Sequence, residues 1–273
     1  MSATWYGETP PPLEPQFGLL GWLRLFLKLP MLAILIFGGL AILIILRLVE
    51  RPVFGLHRPV TPALTVFVCR TTLRILGIKL LVVGALDART SAVVANHSSW
   101  LDIFVLNAVK RVYFVSKSEV AGWPGIGWLA QATGTVFIER DRRQAAAQTQ
   151  VFKDRLAAGH RLLFFPEGTS SDGQQVLPFK STLFAAFYDP ELIDRAVLQP
   201  TSLRYDAPPG LDPRFFGWWG DMSFGGHFLS VVARGSGGQV TLTYHAPLAV
   251  SDVESRKALA RECETAVRAG FQV

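Results

Sequence analysis

The sequence predicts an α/β fold: a mixed, largely buried sheet flanked by helices, with a long apolar helical segment ahead of it. Three observations predict it. Residues 29–46, LPMLAILIFGGLAILIIL, run for eighteen positions without a charge. From Ile78 onward, short apolar runs alternate with stretches of helical period. Hydrophobic residues make up 50% of the 273-residue chain and charged residues 18%, where about a quarter charged is usual for a soluble domain.

Residues 1–15 contain Pro10-Pro11-Pro12 and Pro15, which predicts an extended, poorly ordered tail. Residues 16–58 read as membrane-anchoring helices. Phe17 to Leu29 is apolar except for Arg24 and Lys28; four apart, these share one helical face and are expected to point at lipid phosphates. The uncharged run that follows would make a helix about 27 Å long, close to the ~30 Å hydrocarbon thickness. It does not read as a cleavable signal peptide, because Glu8 and Glu14 precede it and Arg47, Glu50 and Arg51 follow it in place of a small-residue cleavage site. A core helix of this length seldom lacks a polar face, so membrane insertion is the expectation. Gly38-Gly39 would permit a bend, and the run itself is compatible with spanning or dipping in. Pro52, Pro59 and Pro62 punctuate a linker, and residues 59–273 form the α/β domain. Leu64–Leu76 is again helical in period.

Within that domain the expected strands are Ile78–Val83, Ala92–Ala95, Val112–Val115, Thr135–Ile138, Arg161–Phe165, Val197–Tyr205 and Val240–Tyr244. The expected helices are Leu101–Val109, Arg142–Ala158, Ser181–Tyr188 and Asp252–Ala269. Residues 207–238, rich in Gly, Pro and Trp, read as one long irregular loop. The net charge of +6 suits a nucleic acid or an anionic membrane as partner. Arg24, Lys28, Arg47, Arg51 and Arg58 flank the greasy run, so membrane lipids are expected and nucleic acid is not. Cys69 and Cys263 stand far apart with no CxxC and no His/Cys cluster. Neither a disulfide scaffold nor a metal site is indicated, and a reducing, cytoplasmic side suits the domain.

Three stretches carry chemistry. Asn96-His97-Ser98-Ser99-Trp100-Leu101-Asp102 sits where a strand gives way to a helix. Ser98 or Ser99 is expected to cap that helix, with Asp102 in its first turn. Folding His97 back onto Asp102 would let the carboxylate hold one ring N–H and leave the other nitrogen as a base. By itself this pattern is short, and a structural histidine beside a helix-favouring aspartate explains it better. The second stretch, Phe164 to Gly173 (FFPEGTSSDG), puts Glu167, Gly168 and Thr169 at the end of another apolar strand, where open α/β sheets bind ligands; taken alone, a polar turn explains it equally well. The third, Gly134 to Arg143 (GTVFIERDRR), ends a strand with Glu139 and Arg140, either a solvated helix start or a clamp for an anionic group.

NHSSWLD, GTVFIER, FPEGT and Leu198-Gln199-Pro200, with Phe114-Val115-Ser116-Lys117 and Trp123 to Trp128 between them, occur in the order and approximate spacing of the glycerolipid acyltransferase family, which this chain resembles from about Ile78 to Tyr205. The resemblance implies transfer of a fatty acyl group from a thioester of acyl carrier protein or coenzyme A to a lysolipid hydroxyl, with no resident cofactor. His97 matches the family's general base and Asp102 its orienting carboxylate. Asn96, Lys117, Glu139, Arg140, Glu167, Gly168 and Thr169 match its substrate-binding positions. A bacterial inner membrane, with the domain on its cytoplasmic face, is the implied location. One departure is informative: the family's third block commonly has arginine after Glu-Gly-Thr, and here Ser170 stands there. An arginine would suit a phosphate on the acceptor. Together EGTSSDG, GQQVLPFK (173–180) and Trp218-Trp219-Gly220-Asp221-Met222 resemble the bacterial lyso-ornithine lipid acyltransferases, which esterify the 3-hydroxyl of an amide-linked fatty acid. Lysophosphatidate is the alternative acceptor.

The residues make chemical sense of such a reaction. A lipid hydroxyl attacks a thioester slowly unless a base removes its proton during attack. No enzyme nucleophile is then required, and the chain has no G-x-S-x-G elbow. Backbone N–H groups at the helix start after His97 are candidate oxyanion donors. A membrane-tethered thioesterase or lipase, and a non-catalytic lipid-binding protein, are the competing classes.

Overall fold

The computed structural model describes residues 4–12, 16–123, 125–139 and 145–271. The apolar start of the chain is one helix, α1 (Leu19–Phe54), of 36 residues and about 54 Å. The interfacial stretch and the uncharged run are therefore continuous. Pro30 and Pro52 lie within it, each removing one N–H donor without ending the helix. The expected linker begins only after Phe54.

A second helix, α2 (Thr61–Leu76), folds back along α1. Gly38-Gly39 acts here as a groove rather than a hinge: a Cβ on Gly39 would lie 2.7 Å from Cγ2 of Val68, so its absence lets the helices close. Glu50 joins the far ends. Its Oε1 accepts from the backbone N–H groups of Val60 (2.7 Å) and Thr61 (2.9 Å), and its Oε2 accepts from the Thr61 hydroxyl (2.7 Å) and Arg47 (3.2 Å). A carboxylate from α1 thus caps α2, whose own cap residue Val60 carries no acceptor. At the near ends, Lys28 donates to the Leu76 carbonyl (3.0 Å) and Ser236 Oγ (2.7 Å), and Arg24 donates to the Ala233 carbonyl (3.2 Å). These two cations do not point at lipid as expected. Chain ends of other helices offer unsatisfied carbonyls, and the cations take them.

The domain follows as β1 (Lys79–Val83), β2 (Ala92–Ala95), α3 (Leu101–Val109), β3 (Tyr113–Lys117), α4 (Ile126–Thr133), β4 (Val136–Ile138), α5 (Ala145–Ala157), β5 (Leu162–Phe164), β6 (Val197–Asp206), α6 (Phe224–Arg234), β7 (Gln239–Tyr244), β8 (Leu248–Ala249) and α7 (Arg256–Ala269). The sheet runs β1-β7-β6-β2-β5-β3-β4, with β8 also on β6. Strands β6, β2, β5, β3 and β4 are mutually parallel, while β7 and β8 oppose β6. The mixed, buried sheet is as expected, and β2 and β5, at its centre, are buried at every position. One core lies between the sheet and α1, α2, α3 and α6; the other lies under α5, α7 and a 3-10 helix at Ser181–Tyr188.

Two expectations are corrected. The 207–238 segment is not wholly irregular: Ser223 caps α6, its hydroxyl accepting from the Gly226 N–H. Its Gly-rich start hid the apolar stripe of a short helix. Ser181–Tyr188 is helical, but wound as 3-10 rather than α. Of the expected helix at Arg142–Ala158, residues 142–144 lie outside the described residues.

Candidate active site

Because β2, β5, β3 and β4 are parallel, their carboxyl ends share one edge, and the three chemistry-bearing stretches line up along it. Beyond Ala95 the strand pairing of β2 with β6 is taken over by a side chain. Asn96 Nδ2 donates to the Leu203 carbonyl (2.9 Å) and Asn96 Oδ1 accepts the Leu203 N–H (2.8 Å). Asn96 is fully buried. It braces the His97 turn from inside, away from the substrate-facing position expected for it.

The turn then folds onto α3. His97 Nδ1 and Asp102 Oδ2 are 2.7 Å apart, and the same oxygen accepts the backbone N–H groups of Ser98 (2.8 Å) and Ser99 (3.0 Å). Asp102 does the capping that the serines were expected to do: Ser98 and Ser99 turn their amides, not their hydroxyls, toward the helix start. It follows that these two N–H groups are taken and cannot serve as the oxyanion donors expected there. With Nδ1–H committed to a buried carboxylate, the free tautomeric nitrogen is Nε2, which has no hydrogen-bond partner among the described residues. The imidazole stacks on Phe165, with centroids 4.2 Å apart and planes at 12°. Its side chain keeps 23% exposure while Asp102 has none, so a substrate can reach the ring and water cannot reach the carboxylate.

From the next strand, β5, the third block closes on this turn. Gly168 N–H bonds the Phe165 carbonyl (3.1 Å) in a tight turn that needs the positive φ of 72° at Gly168. Glu167 Oε1 accepts the His97 N–H (3.0 Å), and Ser171 N–H donates to the His97 carbonyl (2.9 Å). Glu167 is 2% exposed and its Oε2 has no partner. Burial pushes its carboxyl well above the usual range, against the opposing pull of the His97 and Leu177 N–H groups, which favours the neutral acid. It too holds the histidine turn from within. Gly168 and Thr169 are half-buried beside it, and Lys117 is half-buried at the end of β3. Glu139 is exposed just past β4, roughly 14 Å along the edge from β2 at ~4.8 Å per strand. Arg140 lies outside the described residues. The fold therefore gathers Asn96, His97, Asp102 and Glu167 into one knot and spreads Lys117 and Glu139 along the rim.

The profile of the acyltransferase family matches residues 85–203. Over 267 residues the chain is 54% identical to the lyso-ornithine lipid O-acyltransferase of Rhodobacter capsulatus, covering 98% of this chain and 96% of that protein. The chain belongs to the acyltransferase family. A 1-acyl-sn-glycerol-3-phosphate acyltransferase of Neisseria gonorrhoeae is 43% identical over 98 residues, 36% of this chain and 38% of its own. The fold is that of the crystal structure of the 1-acyl-sn-glycerophosphate acyltransferase from Thermotoga maritima, with a TM-score of 0.62, 21% identity, and coverage of 93% and 94%.

Other parts of this acyltransferase's site were not read from the sequence. Tyr205, at the end of β6, donates its hydroxyl to Asp102 Oδ1 (2.7 Å). Burial, then the Asp102 charge, keeps that phenol's pKa well above normal, so it remains a donor. A tyrosine closing an apolar strand does need a partner for its hydroxyl, and that was the available signal. The 207–238 segment wraps the same turn: Trp218 N–H donates to the Ser98 carbonyl (2.8 Å), and Trp100 Nε1 donates to Nδ1 of His227 (2.9 Å). His227 in turn gives its Nε2–H to the Phe215 carbonyl (3.1 Å). Burial lowers the His227 pKa to about 4, which keeps Nδ1 available as an acceptor.

Proposed function

We propose that this acyltransferase moves a fatty acyl group from an acyl carrier protein or coenzyme A thioester to the 3-hydroxyl of lyso-ornithine lipid. The observation that carries the mechanism is the 2.7 Å contact between His97 Nδ1 and Asp102 Oδ2. Asp102 fixes the ring and its tautomer, and Nε2 takes the hydroxyl proton as that oxygen attacks the thioester carbonyl. The tetrahedral intermediate collapses with cleavage of the C–S bond. The leaving thiolate takes the proton from Nε2, giving the ester and a free thiol and restoring the neutral imidazole. Glu167 and Asn96 act as positioning residues through the turn they hold, whereas Lys117, Glu139, Gly168 and Thr169 meet substrate, a role that Arg140 shares by its match to the family's second block.

The choice of acceptor is supported by the near-full-length similarity to the Rhodobacter protein and by Ser170 in a place where an arginine would grip a phosphate. The shorter similarity to the Neisseria protein favours lysophosphatidate as a second acceptor. Purified protein offered both lysolipids with one acyl thioester decides between them; a strong preference for lysophosphatidate reverses the choice. Near-wild-type transfer by a folded His97→Ala protein removes the mechanism.

The enzyme sits on one leaflet, on the cytoplasmic face of a bacterial inner membrane. Among the described residues α1 is the single helix long and apolar enough to cross, and only 17% of its most apolar window is buried. Yet Lys28 and Glu50 tie both its ends to the same domain, about 33 Å apart along the axis. Crossing would carry one end of the domain through the bilayer. Lying in the plane, α1 buries its outer face in lipid and leaves the domain on one side.

A further inference from the structure

At the sheet edge opposite His97, the first turn of α2 and the ends of α3 and α4 enclose a small polar cleft lined by Arg58, Thr65, Asn107, Arg111, Tyr113 and Thr135 among others. Strand β3 runs between the two edges, from Tyr113 at the cleft to Lys117 near the active site. The enclosed part is about 10 Å³, room for one oxygen atom.

Its surroundings are short of negative charge. The Arg58 and Arg155 guanidinium carbons lie 5.9 and 6.0 Å from the Tyr113 ring centroid. Burial, then the charge of Arg47, lowers the Arg58 pKa to about 10, and Arg155 adds to this. Glu50, the carboxylate nearby, already has both oxygens engaged by Val60, Thr61 and Arg47. The positive end of the α2 dipole faces the same space. Independently of charge, Asn107 lines the cleft at 5% exposure, and what remains open of it is an amide that makes no hydrogen bond within the described residues. Such an amide, held in a nearly closed cleft with its donors uncommitted, suits an acceptor that enters the cleft. Two to five residues before Arg58 in the chain, Val53 and Phe54 at the end of α1 and Leu56 just after it are exposed apolar side chains.

We infer that this cleft binds one oxygen of a phosphate group carried by an anionic phospholipid of the leaflet on which the enzyme sits. The site is separate from the acyl-transfer centre and rests on the membrane seating proposed above. Guanidinium groups and the Asn107 amide donate to the oxygen, while the lipid tails lie along the exposed end of α1.

The test is co-sedimentation of the full chain with vesicles of phosphatidylcholine alone and of phosphatidylcholine with phosphatidylglycerol. Wild type is expected to prefer the anionic vesicles. Asn107→Ala, which changes no charge, and Arg111→Gln should each reduce that preference about fivefold or more, whereas Arg51→Gln, outside the cleft, should reduce it less than about twofold. Binding to neutral vesicles should be the same in all four proteins, which also reports that they are folded. An unchanged preference in both cleft variants overturns the site. So does an equal loss in Arg51→Gln, which would mean diffuse charge. Inorganic phosphate titrated into the lipid-free protein is expected not to bind at millimolar levels; saturation there would make free phosphate the ligand and overturn the lipid assignment. Failure of wild type to bind either vesicle would refute the seating, and with it the lipid as ligand.

Discussion

Tyr205→Phe is the most incisive perturbation of this site, because it removes one atom from a defined network. Asp102 is fully buried. Its Oδ2 has three donors, but Oδ1 has one among the described residues, the Tyr205 hydroxyl at 2.7 Å. Phenylalanine keeps the ring and leaves a buried carboxylate oxygen without a donor. A charge-assisted hydrogen bond lost on one side alone costs about 1.5–3 kcal/mol, and that loss of stability is the expected result. The rate should suffer less. His97 is gripped by the other oxygen, so turnover should fall no more than about tenfold, or ~1.4 kcal/mol. Denaturant unfolding followed by tryptophan fluorescence in detergent gives the first number, and acyl transfer at saturating thioester gives the second. A variant as stable as wild type would show that Asp102 is not the sealed anchor described here. A thousandfold rate loss with stability intact would put Tyr205 in the chemistry itself.

Glu167→Gln retains an acceptor for the His97 N–H, so activity within about tenfold of wild type is expected if Glu167 only positions the turn; a loss of the 10²–10⁴ typical of an acid–base group would place it at the substrate. The folded-state pKa of Glu167 is raised, so the stability it contributes is complete below its unfolded value near 4.5 and is lost as pH climbs through the folded value. Unfolding free energies measured from pH 4 upward should therefore diverge in favour of Gln by up to about 1.4 kcal/mol per pH unit, until the folded pKa is passed. His227 has the opposite sign: with its pKa lowered to about 4, the stability it contributes is present above pH ~6.5 and lost as pH falls toward 4. About 3 kcal/mol is at stake, and a wild type whose stability is flat across that window contradicts the buried, neutral His227. Gly39→Leu should wedge α1 from α2, since even a Cβ would meet Val68 at 2.7 Å. Overpacking of this kind costs ~1–3 kcal/mol, and unfolding measured alongside vesicle binding should register both losses.

Much of this molecule was legible along the chain because the signals are local. Ala92–Ala95 and Leu162–Phe164 are short apolar runs that only a buried strand accommodates, and both are buried at every position. His97 and Asp102 are five residues apart, close enough for one turn to join them. The uncharged run at 29–46 declared itself by hydropathy alone. What failed was also local in cause: α6 was missed because Gly225-Gly226 at its start reads as loop, and the serine cap was misassigned because Asp102 is a stronger acceptor than either hydroxyl. Arg24 and Lys28 look like lipid-facing cations in one dimension, and only the positions of Ala233 and Ser236 turn them inward.

By itself the sequence determined which stretches meet at the candidate site and that a greasy helix accompanies them, since residue type and short-range spacing are written along the chain. The tertiary structure alone decided that Tyr205, 103 positions from Asp102, completes the carboxylate's shell. It also decided that Asn96 and Glu167 brace rather than face outward, and that both ends of α1 are tied to the same domain. Those outcomes depend on strand order and helix docking, which bring together groups far apart along the chain, 70 residues for Glu167 and His97 and 103 for Tyr205 and Asp102. No periodicity within a short window encodes such meetings.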